Sequence, residues 1–243
     1  MGRFSDILSD WRAYRREASR VNVTDPWLLI RYFSVWRQSL RSDANPIADR
    51  RPWMTFPAID ALKLKLKERS RVFEYGAGGS TLFFLDLGVE LISVDHDSAW
   101  LEQVSKKIDG GAGQRWQKYL AVPEPDPDAT NKAFDDPDGY VSQDASLSGF
   151  TLENYVQAID RFSDDYFDVV VVDGRARPSC AKHARPKVKP GGWLVLDNAE
   201  RDYYWWIGSD LTKAGWKEIK YQAPGPYNRY FWMTSIYQRP ENE

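Results

Sequence analysis

The sequence predicts a doubly wound α/β fold: a mostly parallel sheet with an antiparallel last strand, preceded by extra N-terminal helices. Three observations carry that prediction. From Arg71 onward, short apolar strands alternate with helical segments, the pattern of a parallel sheet covered on both faces. Phe167–Asp173 reads Phe-Asp-Val-Val-Val-Val-Asp, a continuous apolar run suited to a central parallel strand. The chain also closes on two aromatic strands separated by Ala-Pro-Gly-Pro, a short connection that brings the last strand in antiparallel.

The elements follow in order. Phe4, Ile7, Leu8, Trp11 and Tyr14 recur at helical spacing, with Arg12, Arg15 and Arg16 on the other side. A second helix starts at the Asp25-Pro26 cap and runs through Trp27, Leu28, Ile30, Phe33, Val35 and Trp36. Ser42–Pro52, polar and with two prolines, reads as a linker. A third helix over Pro57–Arg69 leads into the strand Arg71–Tyr75. Next come a helix from Ser80, a strand over Glu90–Asp95, a helix over Ser98–Ile108 and a strand within Trp116–Val122. Pro123–Ser148, rich in Pro, Asp and Gly, is expected to be an exposed loop or lid. A helix over Thr151–Phe162 precedes the valine-rich strand. Another over Pro178–Lys187 leads to Lys189-Pro190-Gly191-Gly192, read as the turn into the strand Trp193–Asp197. A helix over Asp202–Ala214 and the strands Lys217–Gln222 and Tyr230–Arg239 complete seven strands. Residues 1–52 are therefore expected to form a helical extension acting as a lid or an oligomer contact, with one domain over 53–243.

Composition narrows the function classes. The formal net charge of −2 gives no reason to expect nucleic-acid binding. Locally the balance is uneven: residues 1–70 carry 14 Lys/Arg and 8 Asp/Glu, whereas residues 121–150 carry seven acids and one Lys. Docking of the acidic loop on the basic helices is one expectation from that asymmetry; two separately solvated surfaces is the other. The single cysteine, Cys180, excludes an intrachain disulfide and a thiolate metal cage. Met1–Arg20 lacks the apolar core of a signal peptide, and no apolar run is long enough to span a bilayer, so cytoplasmic residence is expected. A small-molecule partner, no membrane partner and a homodimer through the N-terminal helices complete these expectations.

The chemistry should lie beyond the carboxyl ends of the strands. The loop after the first strand reads Glu74-Tyr75-Gly76-Ala77-Gly78-Gly79-Ser80-Thr81, where glycines allow a tight turn and close approach of a ligand to bare backbone. Asp95 follows Gly76 by nineteen residues and ends the second strand, where a carboxylate can accept from ribose hydroxyls. A dinucleotide fingerprint would place a third glycine where Thr81 stands, and would set a pyrophosphate near Glu74. An acid there suits a cation instead, and S-adenosylmethionine carries an ammonium and a sulfonium. That charge logic ranks S-adenosylmethionine above a nicotinamide or flavin nucleotide.

Glu-x-Gly-x-Gly, the acid ending strand two, Asp173 ending strand four and Lys-Pro-Gly-Gly before strand five resemble class I S-adenosylmethionine-dependent methyltransferases over about residues 53–239. More narrowly, Phe73–Thr81, Ser93–Asp97 and Val172–Arg177 look like a bacterial group of largely uncharacterised small-molecule methyltransferases. The resemblance implies a seven-stranded Rossmann-like sheet. It places Glu74, Gly76 and Gly78 at the amino-acid end of the cofactor, and Ser80 and Thr81 near its carboxylate. Tyr75 and Ala77 lie within that loop, Asp95 would bind the ribose, and His96 would flank the adenine. An adenine-binding acid after strand three is not identifiable.

Asp173 and Asp197 end adjacent strands and are the candidate catalytic residues, serving as base or ligand to deprotonate the acceptor. With Asn198 they also resemble the metal site of cation-dependent O-methyltransferases, where oxygen ligands would suit Mg²⁺ or Ca²⁺. A helix N-cap is the alternative role for either Asp. Arg175, Arg177 and Arg201 cluster near the same edge and suit an acidic or hydroxyl-rich acceptor. His183 reads as a surface residue. Tyr203–Trp206 and Tyr227–Trp232 read as packing on the sheet, with ring or sugar stacking as the alternative. The function expected is O-methylation of a small, sugar-like acceptor. The alternatives are a catalytically silent cofactor-binding or scaffold protein, and a nucleotide-dependent oxidoreductase.

Overall fold

The computed structural model describes residues 2–241, with side chains described from Asp6 onward, so the Phe4 side chain lies outside them. Three helices come first: α1 (Gly2–Arg20), α2 (Pro26–Ser39) and α3 (Phe56–Lys65). The alternating part runs β1 (Arg71–Tyr75), α4 (Gly79–Asp86), β2 (Glu90–Asp95), α5 (Ser98–Ser105), α6 (Gly110–Gly113) and β3 (Trp116–Leu120). A two-residue ladder, β4 (Glu124–Pro125) with β5 (Phe150–Thr151), closes the base of the acidic loop. Then follow α7 (Glu153–Val156), β6 (Phe167–Val172), α8 (Arg177–Ala184), β7 (Val188–Asp197), α9 (Trp205–Lys213), β8 (Lys217–Ala223) and β9 (Trp232–Gln238).

The main sheet has seven strands in the order β3-β2-β1-β6-β7-β9-β8. All its strands run parallel except β9, which is antiparallel to both β7 and β8. The predicted doubly wound architecture and its antiparallel last strand are therefore present. β6 lies beside β1 at the centre, which is why its valines form an unbroken apolar run: both faces are covered. The strand order reverses between β1 and β6, and the carboxyl ends of those two strands open the crevice where doubly wound sheets bind ligands.

Several elements depart from the sequence reading. Val188 pairs with Phe167, so β7 begins five residues earlier than expected, and Lys189–Gly192 bulges out of the ladder before pairing resumes at Trp193. The Pro-Gly-Gly stretch is thus a bulge inside a strand, where the missing proline N–H costs no ladder bond. The helix expected over Thr151–Phe162 is a single α turn followed by a 3-10 turn at Gln157–Arg161. The Val156 carbonyl accepts the Tyr75 hydroxyl at 2.7 Å. The helix expected to reach Lys187 ends its α turn at Ala184, ahead of Pro186.

Ser42–Pro52 is not a free linker. Ile47 is buried against Leu82 and Val104, and Arg50 makes a bidentate pair with Asp86 at 2.5 and 2.6 Å. A Cβ at Gly79 would lie 2.3 Å from the carbonyls of both Pro46 and Arg51, so this segment is packed directly on the first turn of α4. The acidic loop does not dock on the basic helices as charge alone suggested. Asp138 pairs with Lys182 and Asp144 with Arg175, and Trp206 Nε1 donates to the Asp135 carbonyl at 3.0 Å, all on the α8–α9 side.

Apolar side chains divide between the two faces of the sheet. One cluster joins Phe73, Tyr75, Tyr155 and Phe167 to α8 and α9. The other joins α1–α3 to the opposite face, with Tyr14, Trp36 and Met54 packed with Val72, Val171, Phe231 and Ile236. Trp36 is fully buried and its Nε1 donates to the Asn228 carbonyl at 3.0 Å. Trp36→Ala is accordingly expected to lower stability by about 3–5 kcal/mol in chemical denaturation, the cost of emptying a core aromatic site. A loss below about 1 kcal/mol would show that α2 does not contribute to the core.

Candidate functional site

A cavity of about 370 Å³ opens at the carboxyl ends of β1, β2 and β6. Its walls are the glycine loop from Gly76 to Ser80, the Asp95–Asp97 turn, Trp100, Tyr155 and the Asp173–Arg175 turn, with Pro46 and Trp53 contributed by the segment before α3. The loop forms because β1 and β6 end almost in contact. Gly76 adopts φ +94°, and a Cβ on Gly174 would lie 1.9 Å from the Tyr155 hydroxyl and 2.9 Å from the Tyr75 carbonyl. Gly78 differs: a Cβ there would meet nothing closer than Trp100 at 3.8 Å, so open space adjoins its backbone.

Glu74 underlies the loop and is fully buried. Its Oε1 accepts from the Thr81 hydroxyl and from Ser93 Oγ at 2.7 Å, while Oε2 has no partner. Burial pushes this carboxyl up to about 7 against the pull of those hydrogen bonds. Thr81 is buried too, its Oγ1 accepting from the Gly78 N–H at 2.9 Å. Thr81 therefore braces the loop from behind rather than facing the cavity, where Ser80 and Ala77 lie. Tyr75, placed by the sequence among the cofactor-binding residues, turns its ring into the core.

Asp95 and His96 both line the cavity. Asp95 Oδ2 accepts from the Ala77 N–H at 2.8 Å and Oδ1 from the Asp97 N–H at 3.0 Å, so this carboxylate ties the glycine loop to the turn after β2. Oδ2 retains a second lone pair for a ligand hydroxyl. His96 stands 3.2 Å from Asp95 Oδ1 and edge-on to Tyr155. Trp100 donates from Nε1 to the Ala77 carbonyl at 2.7 Å, fixing its indole as a wall. Trp100 and Tyr155 were not recognised in the sequence as site residues. Trp100 is positioned by Asp97, whose side chain caps α5 by accepting from the Trp100 N–H.

The two candidate catalytic carboxylates part company. Asp173 lines the cavity with about 21% of its side chain exposed. Burial and the neighbouring Asp197 push its carboxyl up, with Arg177 opposing. Asp197 is only 3% exposed and faces β9: its Oδ1 accepts from Trp232 Nε1 at 2.9 Å and Thr234 Oγ1 at 2.6 Å. Burial raises its carboxyl to about 6. Its role is to join β7 to β9, directly across from its register partner Thr234.

The metal set read from Asp173, Asp197 and Asn198 does not fit a divalent ion. Among the described residues, no group of three or more His, Cys, Asp or Glu side chains is arranged to hold one. A guanidinium occupies that corner instead. Arg177 Nη2 donates to Asp173 Oδ1 at 3.1 Å and to the Asp173 carbonyl at 3.2 Å. Nη1 donates to Asn198 Oδ1 at 3.1 Å and to the Asp197 carbonyl, and Nε donates to the Gly174 carbonyl at 3.1 Å. All five donors of the fork are engaged.

The acids Asp95, Asp97 and Asp173 around bare glycine backbone favour a ligand whose charge near β1 is positive, while Glu74, expected from the sequence to line the cofactor site, lies fully buried beneath the loop and does not face the cavity. The residues present therefore fit the ammonium and sulfonium of S-adenosylmethionine better than a pyrophosphate.

No family model and no curated protein matches the chain. Solved structures do share its fold. A methyltransferase-like protein from Silicibacter pomeroyi aligns with a TM-score of 0.51 and 22% identity over 79% of this chain and 90% of its own. A methyltransferase from Geobacter sulfurreducens aligns with a TM-score of 0.51 and 12% identity over 85% of this chain and 94% of its own. A protein from Corynebacterium glutamicum reaches a TM-score of 0.52 at 12% identity, over 88% and 98% of the two chains. The chain has the class I methyltransferase fold.

Glu74 sets a testable pH dependence. Its folded value of about 7 lies above its ordinary 4.5, so between these values the folded state holds a proton that the unfolded state has released. Stability should fall as pH rises through that window, by roughly 3 kcal/mol from this group. Denaturation of Glu74→Gln at about pH 5 and about pH 8 should show a smaller difference than wild type, the remainder coming from Asp173 and Asp197. An unchanged slope would contradict the assignment.

Proposed function

We propose that this chain is an S-adenosylmethionine-dependent methyltransferase acting on a hydroxyl oxygen of a small, sugar-like acceptor. The observation that carries the reading is Asp173: a carboxylate with raised affinity for protons, at the edge of an acid-lined cavity, oriented by Arg177 and still partly open. Gly76 and Gly78, braced from beneath by Glu74, would hold the amino-acid end of the cofactor, Ser80 its carboxylate, and Asp95 and His96 the ribose and adenine. When bound, S-adenosylmethionine supplies an electrophilic methyl group on a sulfonium.

The chain's own residues then have three tasks. Arg177 fixes Asp173 through Oδ1, leaving Oδ2 to take the proton from the acceptor hydroxyl. The oxygen so deprotonated would be the nucleophile for that methyl group, with S-adenosylhomocysteine as the leaving product. Trp53, Trp100 and Pro46 wall the cavity, and excluding water there strengthens the attraction between the forming oxyanion and the sulfonium. Holding the two reactants in line contributes on the order of 7–11 kcal/mol to rate acceleration. Thr81 in place of a third glycine, and the Glu74 carboxyl beneath the loop where a pyrophosphate would lie, argue against an oxidoreductase.

Calorimetry with S-adenosylhomocysteine should show saturable binding to wild type, whereas tight NAD binding in its place would refute the reading. Asp173→Asn should keep S-adenosylhomocysteine affinity within a few-fold yet lower the methyl-transfer rate by about 10²–10⁴-fold. EDTA should leave the wild-type rate unchanged, because Arg177 already neutralises the Asp173–Asn198 corner. Retained activity in the Asn variant, or a rate restored only by Mg²⁺ after chelation, would overturn these roles.

A further inference from the structure

A second cavity, of about 350 Å³, adjoins the first and shares Gly174 and Arg175 with it. Its far side is built from the acidic loop, through Phe134 and Asp144, and from Arg201 and Tyr204 after β7. Three arginines and one aspartate face it. Arg177 has no donor to offer, since all five of its N–H groups are engaged within the protein and its charge is matched by Asp173.

Arg175 and Arg201 are different. Arg175 pairs with Asp144 at 3.0 Å, but both side chains are more than a third exposed, and such a pair is readily exchanged for another anion. Arg175 Nε is buried beside the cavity with no acceptor. An unmet donor of this kind favours any ligand that brings an oxygen to it. Arg201 interacts with the Tyr204 hydroxyl and, among the described residues, forms no ion pair. Ala176, held in the left-handed region at φ +44°, separates Arg175 from Arg177 and sends the two neighbouring arginines to different partners.

Resting on the methyltransferase reading, we propose that this second cavity holds the acceptor by an oxyanion, a carboxylate or a phosphate, gripped by Arg175 and Arg201. The oxyanion displaces Asp144 from Arg175. The acceptor hydroxyl then reaches Asp173 through the junction at Gly174. Guanidinium forks match both oxyanions bidentately, and the cavity's size limits the acceptor to a small molecule.

The probes are inorganic phosphate, acetate and neutral acetamide, titrated into protein saturated with S-adenosylhomocysteine and followed by NMR. Phosphate or acetate should bind saturably at about millimolar concentration while acetamide does not, and the stronger of the two identifies the acceptor's acid. Arg201→Gln should weaken anion binding by about tenfold or more, and Arg201→Lys should recover part of it, with S-adenosylhomocysteine affinity unchanged in both. Equal behaviour of acetate and acetamide, no saturable anion binding, or anion binding undiminished in Arg201→Gln would overturn the proposal. Loss of S-adenosylhomocysteine binding by wild type with anion binding intact would instead count against the methyltransferase reading alone.

Discussion

The Arg177 guanidinium is buried at the carboxyl edge of the sheet, where its five donors reach backbone and side-chain oxygens at the ends of both β6 and β7. A buried cation is tolerated only when its hydrogen-bonding capacity is met, and here every acceptor belongs to residues 173–174 or 197–198. The same contacts fix the ends of two central strands, orient Asp173 and put a permanent positive charge where a divalent ion would otherwise have to sit. Asp173 can then be both raised in proton affinity by burial and held ready to ionise. Replacing the fork by lysine would supply the charge without the geometry.

On the other side of the crevice, the glycine loop is shaped by Glu74 from beneath and Asp95 from the side. Thr81 and Ser93 donate to Glu74, the Ala77 N–H donates to Asp95, and the Gly78 N–H donates to Thr81, so the loop's conformation is fixed by its own side chains before any ligand arrives. A preformed loop of this sort loses little conformational entropy on binding. The two halves meet at Gly174, whose bare Cα lets Tyr155 approach and which lines both cavities.

Much of the fold was legible because it depends on local pattern. The valine run of β6, the glycine loop between β1 and α4 and the proline cap of α2 each announce themselves within a few residues. What was not legible depends on partners distant in sequence. Asp197 looked equivalent to Asp173, and only the antiparallel register with β9 shows that Thr234 and Trp232 claim it. Arg177 read as one of three arginines suited to an acceptor, because two of the acceptors that consume its donors lie at the end of another strand. The Lys-Pro-Gly-Gly stretch reads as a turn until Val188 is seen paired to Phe167. Charge totals suggested where the acidic loop would dock, but its contacts are set by individual groups on α8 and α9, such as Lys182 and Trp206.

In the proposed arrangement one cavity presents a sulfonium-bound methyl to Asp173 while its neighbour presents the acceptor. A crystal structure of the protein with S-adenosylhomocysteine tests this most directly. The account predicts the ligand along Gly76–Gly78, its ribose at Asp95 and its sulfur at the Gly174 junction, facing the cavity lined by Arg175 and Arg201. A ligand bound elsewhere, or one whose sulfur points away from that junction, would contradict it.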